Sequence, residues 1–513
     1  MNRFRPELHV TAETGVLEAP AGAVRQGNTL HVFHQFRPTP ESGARWAHQV
    51  ATDLPYGWDV CDDVLAPLSD EIDCLAGSSV AVGDGVVELF FVVTTPAMDT
   101  TDATDADHRS LLGSRVPHDR RGSRDFRIHR ARISDLDLIS EDISDDPSVV
   151  RQEVERLGQV TVDDRLRPVT ALVTPSVVRD GDRWLMIALD LVDDTAATIV
   201  VLTSEDRQHW TVQGALEIYG DPGIPAGRPF APRITRMTDE FTDDRRDVLF
   251  ITYPTSPTDA SGGETAGYLV GTLDGTRFTV ESGFRVFDHG HDFTRPRVVH
   301  GPQPVILGLV GTFPGPKAGT WANCLSVPRF LSLRDGHLYQ DIVGVPSAVR
   351  SYTDRGAVFT AQLDVSRGAV TVSVIDDTDR VLATVRHSGD RVEVDRPRAD
   401  GTSDLRTATL ADGDSDTLTV VVDGPVCEVF ADGGLVSLTS ALSGSTGFAR
   451  FQVDTSGGAR VLSAMESLGR RLQRRLARLD SPEEQERLIA EAALAERDLA
   501  AGIDPADIPD DPR

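Results

Sequence analysis

The chain alternates short apolar runs with polar turns. Five runs of strand length, each rich in β-branched or aromatic residues, start at Leu30, Val87, Trp184, Val248 and Val305. Runs of this composition are typical of β-strands. The interval between the second and third run is the longest, because it contains a polar stretch from about 95 to 125. This stretch is low in large apolar residues and is predicted to be a surface insertion.

With the insertion set aside, five units of similar length follow one another, each long enough for several strands. Such a repeat is typical of the blades of a β-propeller, which closes radially and leaves few exposed strand edges. An irregular β fold is the alternative on spacing alone.

A different pattern starts at about Val345. Shorter segments such as AVFTAQLDV, TLTVVVDG and FARFQVD alternate apolar and polar residues between Gly and Asp turns. Alternation of this kind indicates a sandwich of antiparallel sheets. The sequence therefore predicts an all-β chain with a propeller at 1–344, a β-sandwich at 345–464 and a short helical extension at 465–513.

The extension is predicted to be helical because Met465, Leu468, Leu472, Leu476 and Leu479 recur at three- and four-residue spacing. A Ser-Pro-Glu-Glu sequence then predicts the start of a second helix. The first helix is rich in arginine and the second in glutamate, so the two can pair as a hairpin. The hairpin is expected either to cap its own domain or to serve self-association or partner docking.

Composition and charge indicate which partners, location and cofactors to expect. The chain has 513 residues and a net charge of -29, which disfavours nucleic acid and anionic membranes. It has no apolar stretch of signal-peptide or membrane-span length, so a cytoplasmic location is expected. The four cysteines lack the paired spacing of a zinc site and are predicted to be reduced, with no metal or cofactor.

Several short motifs occur in a fixed order along most of the chain. They are LEAPAG, LHVFHQF and WAHQV near the start, then CLAGSS, TSEDRQHW, GHDFTRP and WANCLSVPRF, and finally CEVFADGG. In this order they resemble the motifs of glycoside hydrolase family 32, the fructoside-cleaving glycosidases. The resemblance implies a five-bladed β-propeller followed by a β-sandwich, in agreement with the two patterns above.

The resemblance also implies where three catalytic carboxylates would lie, and none of them is present. Ala19 in EAPAG takes the position of the nucleophile, Phe230 in RPFAPRI that of the acid/base, and Thr174 in VTPSVV that of the third acid. A retaining glycosidase needs two carboxyl groups about 5–5.5 Å apart, one to attack and one to donate a proton. The family's catalytic site is therefore predicted to be degenerate, with the neighbouring Glu18 as a candidate substitute.

Five other positions match residues that shape the family's sugar pocket. They are Gln35, Trp46, Gly77, Ser78 and Asp292. The resemblance implies contacts to a small carbohydrate at these positions, and retention for packing and turn geometry is the alternative.

Charged residues flank the degenerate motifs. Arg228, Arg233 and Arg295 predict a cavity more basic than a glycosidase cleft, which makes a carboxylate or phosphate ligand conceivable. The dense cluster between Asp288 and Asp292 could be read as metal ligands, but the resemblance accounts for most of it.

Three hypotheses for function follow. The first is a non-hydrolytic relative of the family that binds a fructoside or related small carbohydrate. The second is a working glycosidase that hydrolyses fructosyl bonds of sucrose or fructans with relocated acids such as Glu18 and Asp292. The third is a scaffold or regulatory subunit that docks a partner through its C-terminal helices. A pair of carboxyl groups facing each other across the pocket would favour the second.

Overall fold

The structure is a computed structural model. It describes residues 5–52, 55–83, 85–97, 124–141, 150–151, 153–192, 196–255, 263–301, 303–311, 321–398, 401–410, 416–442 and 447–479. Most of the predicted insertion and the predicted second C-terminal helix lie outside these ranges.

The N-terminal part of the chain forms five sheets of four or five strands, built mainly from antiparallel neighbours. The first two sheets contain β1 (Gly15–Gln26), β2 (Thr29–Arg37), β3 (Arg45–Ala51) and β4 (Asp59–Leu65), then β5 (Asp73–Ala81), β6 (Val87–Pro96), β7 (Arg124–Ile133) and β8 (Val154–Gln159). A short helix, α1 (Leu138–Glu141), lies between β7 and β8.

The next three sheets repeat this arrangement. The third contains β9 (Thr161–Asp163), β10 (Leu172–Asp180), β11 (Arg183–Leu191), β12 (Ala197–Ser204) and β13 (His209–Ala215). The fourth contains β14 (Glu217–Tyr219), β15 (Phe230–Thr238), β16 (Arg245–Pro254), β17 (Glu264–Asp274) and β18 (Arg277–Val286). The fifth contains β19 (Phe293–Val299), β20 (Val305–Val310), β22 (Cys324–Leu325), β23 (Arg329–Arg334) and β24 (His337–Asp341).

The five sheets close into a ring. The innermost strands β1, β5, β10, β15 and β19 each contact the next in order, and β19 contacts β1. Near the end of the ring, β21 (Trp321–Ala322) pairs in parallel with β1 of the first sheet. The predicted β-propeller is confirmed, and a ring of this kind leaves few exposed strand edges.

The five apolar runs predicted from sequence lie in β2, β6, β11, β16 and β20. In each sheet this strand is the direct neighbour of the innermost strand. Their central residues are buried on both faces, as in β6, where Val87 to Thr94 are all buried. Both faces lie against neighbouring sheets, so a continuous apolar run replaces the usual alternation.

A β-sandwich follows the propeller and is likewise confirmed. Helix α2 (Val345–Tyr352) leads into two five-stranded sheets. One contains β25 (Ala357–Asp364), β30 (Thr417–Asp423), β31 (Val426–Ala431), β32 (Val436–Ala441) and β34 (Arg460–Leu468); the other contains β26 (Gly368–Asp376), β27 (Val381–His387), β28 (Arg391–Pro397), β29 (Ser403–Thr409) and β33 (Phe448–Gly457). A 3-10 turn covers Asp432–Gly434.

The predicted helix starts later than expected. Met465 and Leu468 belong to β34, where Met465 pairs with Thr360 of β25, and helix α3 covers Arg470–Leu479. The prediction was wrong for these two residues, because pairing along β25 outweighs their helical spacing. The domain boundaries at 344 and 464 stay predictions.

Buried polar groups join the propeller to the sandwich. Arg329, fully buried, donates to Asp288 at 2.9 Å and to Glu428 at 2.7 Å. His9 contacts Asp423 at 2.7 Å and Glu428 at 3.0 Å. Burial alone would lower the pKa of His9, but these two carboxylates raise it to about 9.

Two further sequence predictions concern location and thiols. Cys61, Cys74, Cys324 and Cys427 are buried and unbridged. In the described part of the chain, no helix has both the length and the apolar character to cross a bilayer. The cytoplasmic location stays a prediction.

Candidate functional site

A cavity opens where the innermost strands of all five sheets meet. The space inside it, counted together with its open mouth, is about 670 Å³. Its wall is largely apolar, with contributions from Leu75, Val92, Val173 and Leu189, and the charged residues at its surface are Glu18, Arg233, Arg295 and Arg297.

Each inner strand departs from regular pairing at this cavity. Register shifts occur after Leu17 in β1, Leu75 in β5, Val173 in β10, Phe230 in β15 and Thr294 in β19. A bulge turns side chains and polar backbone groups out of the regular ladder, and bulges are common beside functional sites. The same irregularity in every sheet therefore shapes the cavity.

Backbone strain marks three of these bulges. Thr174, Ala231 and Arg295 have positive φ values of 53°, 43° and 52°, and each of them precedes a proline. This conformation is unusual for residues other than glycine, above all for a β-branched threonine. Such residues persist where the surrounding structure holds them, and they cluster at functional sites.

The three positions predicted to have lost their carboxylates are brought together. Ala19, Thr174 and Phe230 all line the cavity, from three different sheets. The structure thus brings these three positions to one site. That they replace the family's catalytic carboxylates stays a prediction.

Glu18 is the one residue with a carboxyl group among the described residues that line the cavity. Its Oε1 accepts from Arg37 Nε at 2.9 Å, and its Oε2 accepts from Gln35 Nε2 at 2.5 Å. Arg37 also binds Asp73 at 2.9 Å, and Asp73 binds Arg124 at 2.9 Å. Glu18 therefore has both oxygens engaged in a network of alternating charge.

Asp73 keeps its charge within this network. Burial would raise the pKa of Asp73, but Arg37 and the amide of Ala44 lower it below its usual value. Burial would likewise lower the pKa of Arg37, whereas Glu18 and Asp73 raise it. Arg37 and Asp73 therefore stabilise each other's charged form.

Three arginines line the cavity, and they differ in their hydrogen-bond partners. Arg295 forms a two-pronged pair with Glu264, at 2.5 and 2.8 Å. Arg233 donates to the carbonyl of Thr174 at 2.8 Å, and Arg297 donates to that of Pro20 at 2.9 Å. Arg233 and Arg295 were predicted from sequence to make the cavity basic, whereas Arg297 was not, although it follows Arg295 in an Arg-Pro-Arg sequence. Arg228 lies with its guanidinium 5.5 Å from the Phe230 ring.

Only one of the five predicted sugar contacts lies at the cavity surface. That residue is Gln35, whose Oε1 accepts from the amide of Ala76 at 2.5 Å. Trp46 is fully buried and packs its ring against Phe91, with centroids 6.2 Å apart. Its amphipathic ring is therefore part of the core.

The other three predicted contacts have structural partners. Ser78 accepts from the amide of Val177 at 3.1 Å. A Cβ on Gly77 would meet the carbonyl oxygen of Phe90 at 1.8 Å, so the close approach of two strands requires glycine. Asp292 accepts from Arg396 at 2.6 Å and from the amide of Ala441 at 2.7 Å, which turns it towards the sandwich. A role of these residues in ligand binding stays a prediction.

The cluster from Asp288 to Asp292 does not converge on one point. Asp288 binds Arg329, and His291 contacts Ser440 at 2.7 Å. Elsewhere in the described ranges, three potential ligand atoms of His387, Asp416 and Asp432 lie within 4.8 Å of one another, in the sandwich. This is the group whose residue types could hold a metal ion, and it is separate from the cavity.

Comparisons with known proteins agree with this architecture. Residues 169–341 match the family model described as the glycosyl hydrolases family 32 N-terminal domain. A sucrose-6-phosphate hydrolase of Zymomonas mobilis is 26% identical over 359 residues, which cover 66% of this chain and 61% of that protein. The chain thus spans less than two thirds of that relative. A probable sucrose-6-phosphate hydrolase of Psychromonas ingrahamii is 22% identical and covers 84% of this chain and 75% of its own length.

Solved structures show the same fold. The β-fructofuranosidase BmSUC1 of Bombyx mori superposes with a TM-score of 0.67 at 16% identity, covering 91% of this chain and 94% of its own. The sucrose-6-phosphate hydrolase of Lactobacillus gasseri gives 0.65 at 18% identity, covering 91% and 93%.

Proposed function

Since the chain belongs to glycoside hydrolase family 32, and is of the β-fructofuranosidase and sucrose-6-phosphate hydrolase type, we propose that it binds a small carbohydrate in its central cavity without hydrolysing it. A fructoside is the first candidate ligand, because sucrose and fructose are bound by structural neighbours of this chain.

The observation that carries this proposal is the chemistry of the cavity wall. Hydrolysis of a glycosidic bond by the usual route needs two carboxyl groups, about 5–5.5 Å apart for retention or about 6.5–9.5 Å for inversion. Among the described lining residues Glu18 alone has one, and it is engaged by Arg37 and Gln35. The cavity lies at the centre of the ring, and its described lining offers one carboxyl group where the usual route needs two.

The cavity also has the mixed character that sugars require. Apolar side chains such as Leu75 and Val173 can cover the carbon face of a ring, while polar groups fix its orientation. The neutral polar side chains of the described lining are Gln35, which contacts Glu18, and Thr174.

Isothermal titration calorimetry with sucrose, fructose and short fructans tests the proposal. We expect saturable binding of at least one of them, with no release of reducing sugar during prolonged incubation at high protein concentration. Gln35→Leu should weaken binding about tenfold, because a hydrogen-bonding group is replaced by an apolar one of similar size. Absence of binding by every sugar would refute the proposal.

The second candidate is an active glycosidase that uses Glu18, and the observation in its favour is that this carboxylate reaches the cavity. Its suggested partner Asp292 is turned towards Arg396 and the sandwich. Release of fructose that is abolished in Glu18→Gln would establish this alternative.

A scaffold or regulatory role for the C-terminal extension is the third candidate. Light scattering on the full chain and on a variant lacking 470–513, which keeps β34 intact, tests it: equal oligomeric states would exclude self-association through this segment.

A further inference from the structure

Two arginines at the central cavity are almost completely buried. Arg233 is 2% exposed and Arg297 is 4% exposed, and both line the cavity. A guanidinium withdrawn from water in this way is costly unless a negative charge and hydrogen-bond acceptors surround it.

Among the described residues, the hydrogen-bond partners of Arg233 and Arg297 are backbone carbonyls only. Nη1 of Arg233 donates to Pro232 O at 2.6 Å and to Thr174 O at 2.8 Å. Arg297 donates to Pro20 O from Nη2 at 2.9 Å and from Nε at 3.2 Å. Nη1 of Arg297 and Nε of Arg233 have no hydrogen-bond partner within the described chain.

Two other arginines with little exposure have carboxylate partners. Arg329 is paired with Asp288 and Glu428, and Arg295 at the cavity is paired with Glu264. The negative charge of Glu18 is already shared with Arg37. Arg233 and Arg297 thus contribute two positive charges that no carboxylate of the described residues pairs with.

The two guanidinium groups also repel each other. Burial lowers the pKa of Arg233 to about 9. Burial lowers the pKa of Arg297 as well, and the charge of Arg233 lowers it further. Like charges in an apolar surrounding destabilise the empty cavity, so a ligand that supplies negative charge gains the energy of both interactions.

We propose that Arg233 and Arg297 form a binding site for an oxyanion group, a phosphate monoester or a pair of carboxylates, on a compact ligand in the central cavity. The guanidinium fork matches such oxygens geometrically and forms short charge-assisted hydrogen bonds with them. The inference rests on the proposed function in taking this cavity as the ligand site, and it narrows the ligand to a negatively charged derivative.

Calorimetry with four probes at pH 7 tests the site: inorganic phosphate, fructose 6-phosphate, malonate and fructose. Fructose 6-phosphate is expected to bind at least about tenfold more tightly than fructose. Inorganic phosphate and malonate identify whether the site prefers a phosphate or paired carboxylates. Weaker binding of the anions at high salt is expected for a charge-based interaction.

Variants assign the binding to the two arginines. Arg233→Met and Arg297→Met should each weaken anion binding at least about tenfold while changing fructose binding less. Arg179→Met is the matched control, because Arg179 lies on β10, is exposed and does not line the cavity. It removes the same charge from the surface and should leave affinity unchanged. If a methionine variant fails to fold, Arg297→Lys keeps the charge but not the fork, and an intermediate affinity is expected.

The outcomes separate this inference from the proposed function. Binding of fructose without any preference for the anions would overturn the oxyanion site and leave the proposed function standing. Binding of anions without neutral sugars would support the site and overturn the neutral-sugar form of the proposed function. Equal loss of anion binding in Arg179→Met would reduce the effect to general surface charge and refute the site. Absence of binding by all four probes would refute the oxyanion site, and the proposed function would fall as well only if sucrose and the fructans also failed to bind.

Discussion

Arg329 connects the propeller to the sandwich, and its replacement gives the most quantitative test of the structure. Its guanidinium donates to Asp288, Gln340 and Ser437 from one nitrogen and to Glu428 and Thr439 from the other, at 2.6 to 3.0 Å. Arg329, Asp288 and Glu428 have fully buried side chains. Arg329→Met keeps most of the volume and removes the charge.

The expected loss of stability depends on the partners that Glu428 and Asp288 keep in Arg329→Met. Glu428 keeps His9 at 3.0 Å, whereas Asp288 keeps hydrogen bonds from Gly290, Ser437 and Thr439 but no cation. Removing one partner of a buried ion pair typically costs about 3–5 kcal/mol, because the other charge is left without compensation. We expect a loss of this size in the free energy of unfolding.

Urea denaturation followed by near-UV circular dichroism measures the effect. Arg334→Met is the matched control: Arg334 lies on the same strand and pairs at 2.8 Å with Glu240, but both side chains are about half exposed. Exposed pairs contribute at most about 1 kcal/mol. Adding Asp288→Asn to Arg329→Met should recover part of the stability, because the unpaired charge is removed. Similar losses in Arg329→Met and Arg334→Met would refute the assignment of a stabilising buried ion pair.

Three further perturbations test other parts of the structure. Because the pKa of His9 is raised to about 9, its contribution to stability is complete below pH about 6.5 and is lost as pH rises to about 9. The free energy of unfolding, measured with urea, should fall by up to about 3 kcal/mol over that window. His9→Gln should remove this pH dependence. Gly77→Ala should cost about 1–3 kcal/mol because its Cβ meets backbone of β6, whereas Gly83→Ala, with no contact under 3.9 Å, should be nearly neutral in the same thermal melts. Glu264→Gln should leave Arg295 without its carboxylate and lower the melting temperature; an unchanged value would contradict the paired state of this arginine.

The strands that were predictable from sequence are those buried on both faces. Val87 to Val93 and Val248 to Ile251 read as apolar runs because neighbouring sheets cover them on either side. The resemblance to the family, whose motifs occur here in the same order, then predicted that these strands belong to a propeller followed by a sandwich.

The strands that form the site were harder to recognise. Segments such as those around Ala19, Thr174 and Phe230 carry prolines and bulges, which interrupt the apolar pattern exactly where the chain approaches the cavity. Their convergence was nevertheless predicted, because the resemblance placed all three at catalytic positions of one family site.

Local patterns by themselves determined strand composition and the acidic character of this chain, and the resemblance to the family predicted that its three carboxylates are absent. Tertiary structure decided which side chains reach the cavity: Trp46 lies in the core, Asp292 contacts the sandwich, and Arg297 lines the cavity. It also drew Met465 into a strand, because pairing with β25 satisfies backbone groups that a helix would have satisfied locally. The physical reason is common to all four: burial and pairing depend on residues that are distant in the chain, and periodicity records only neighbours.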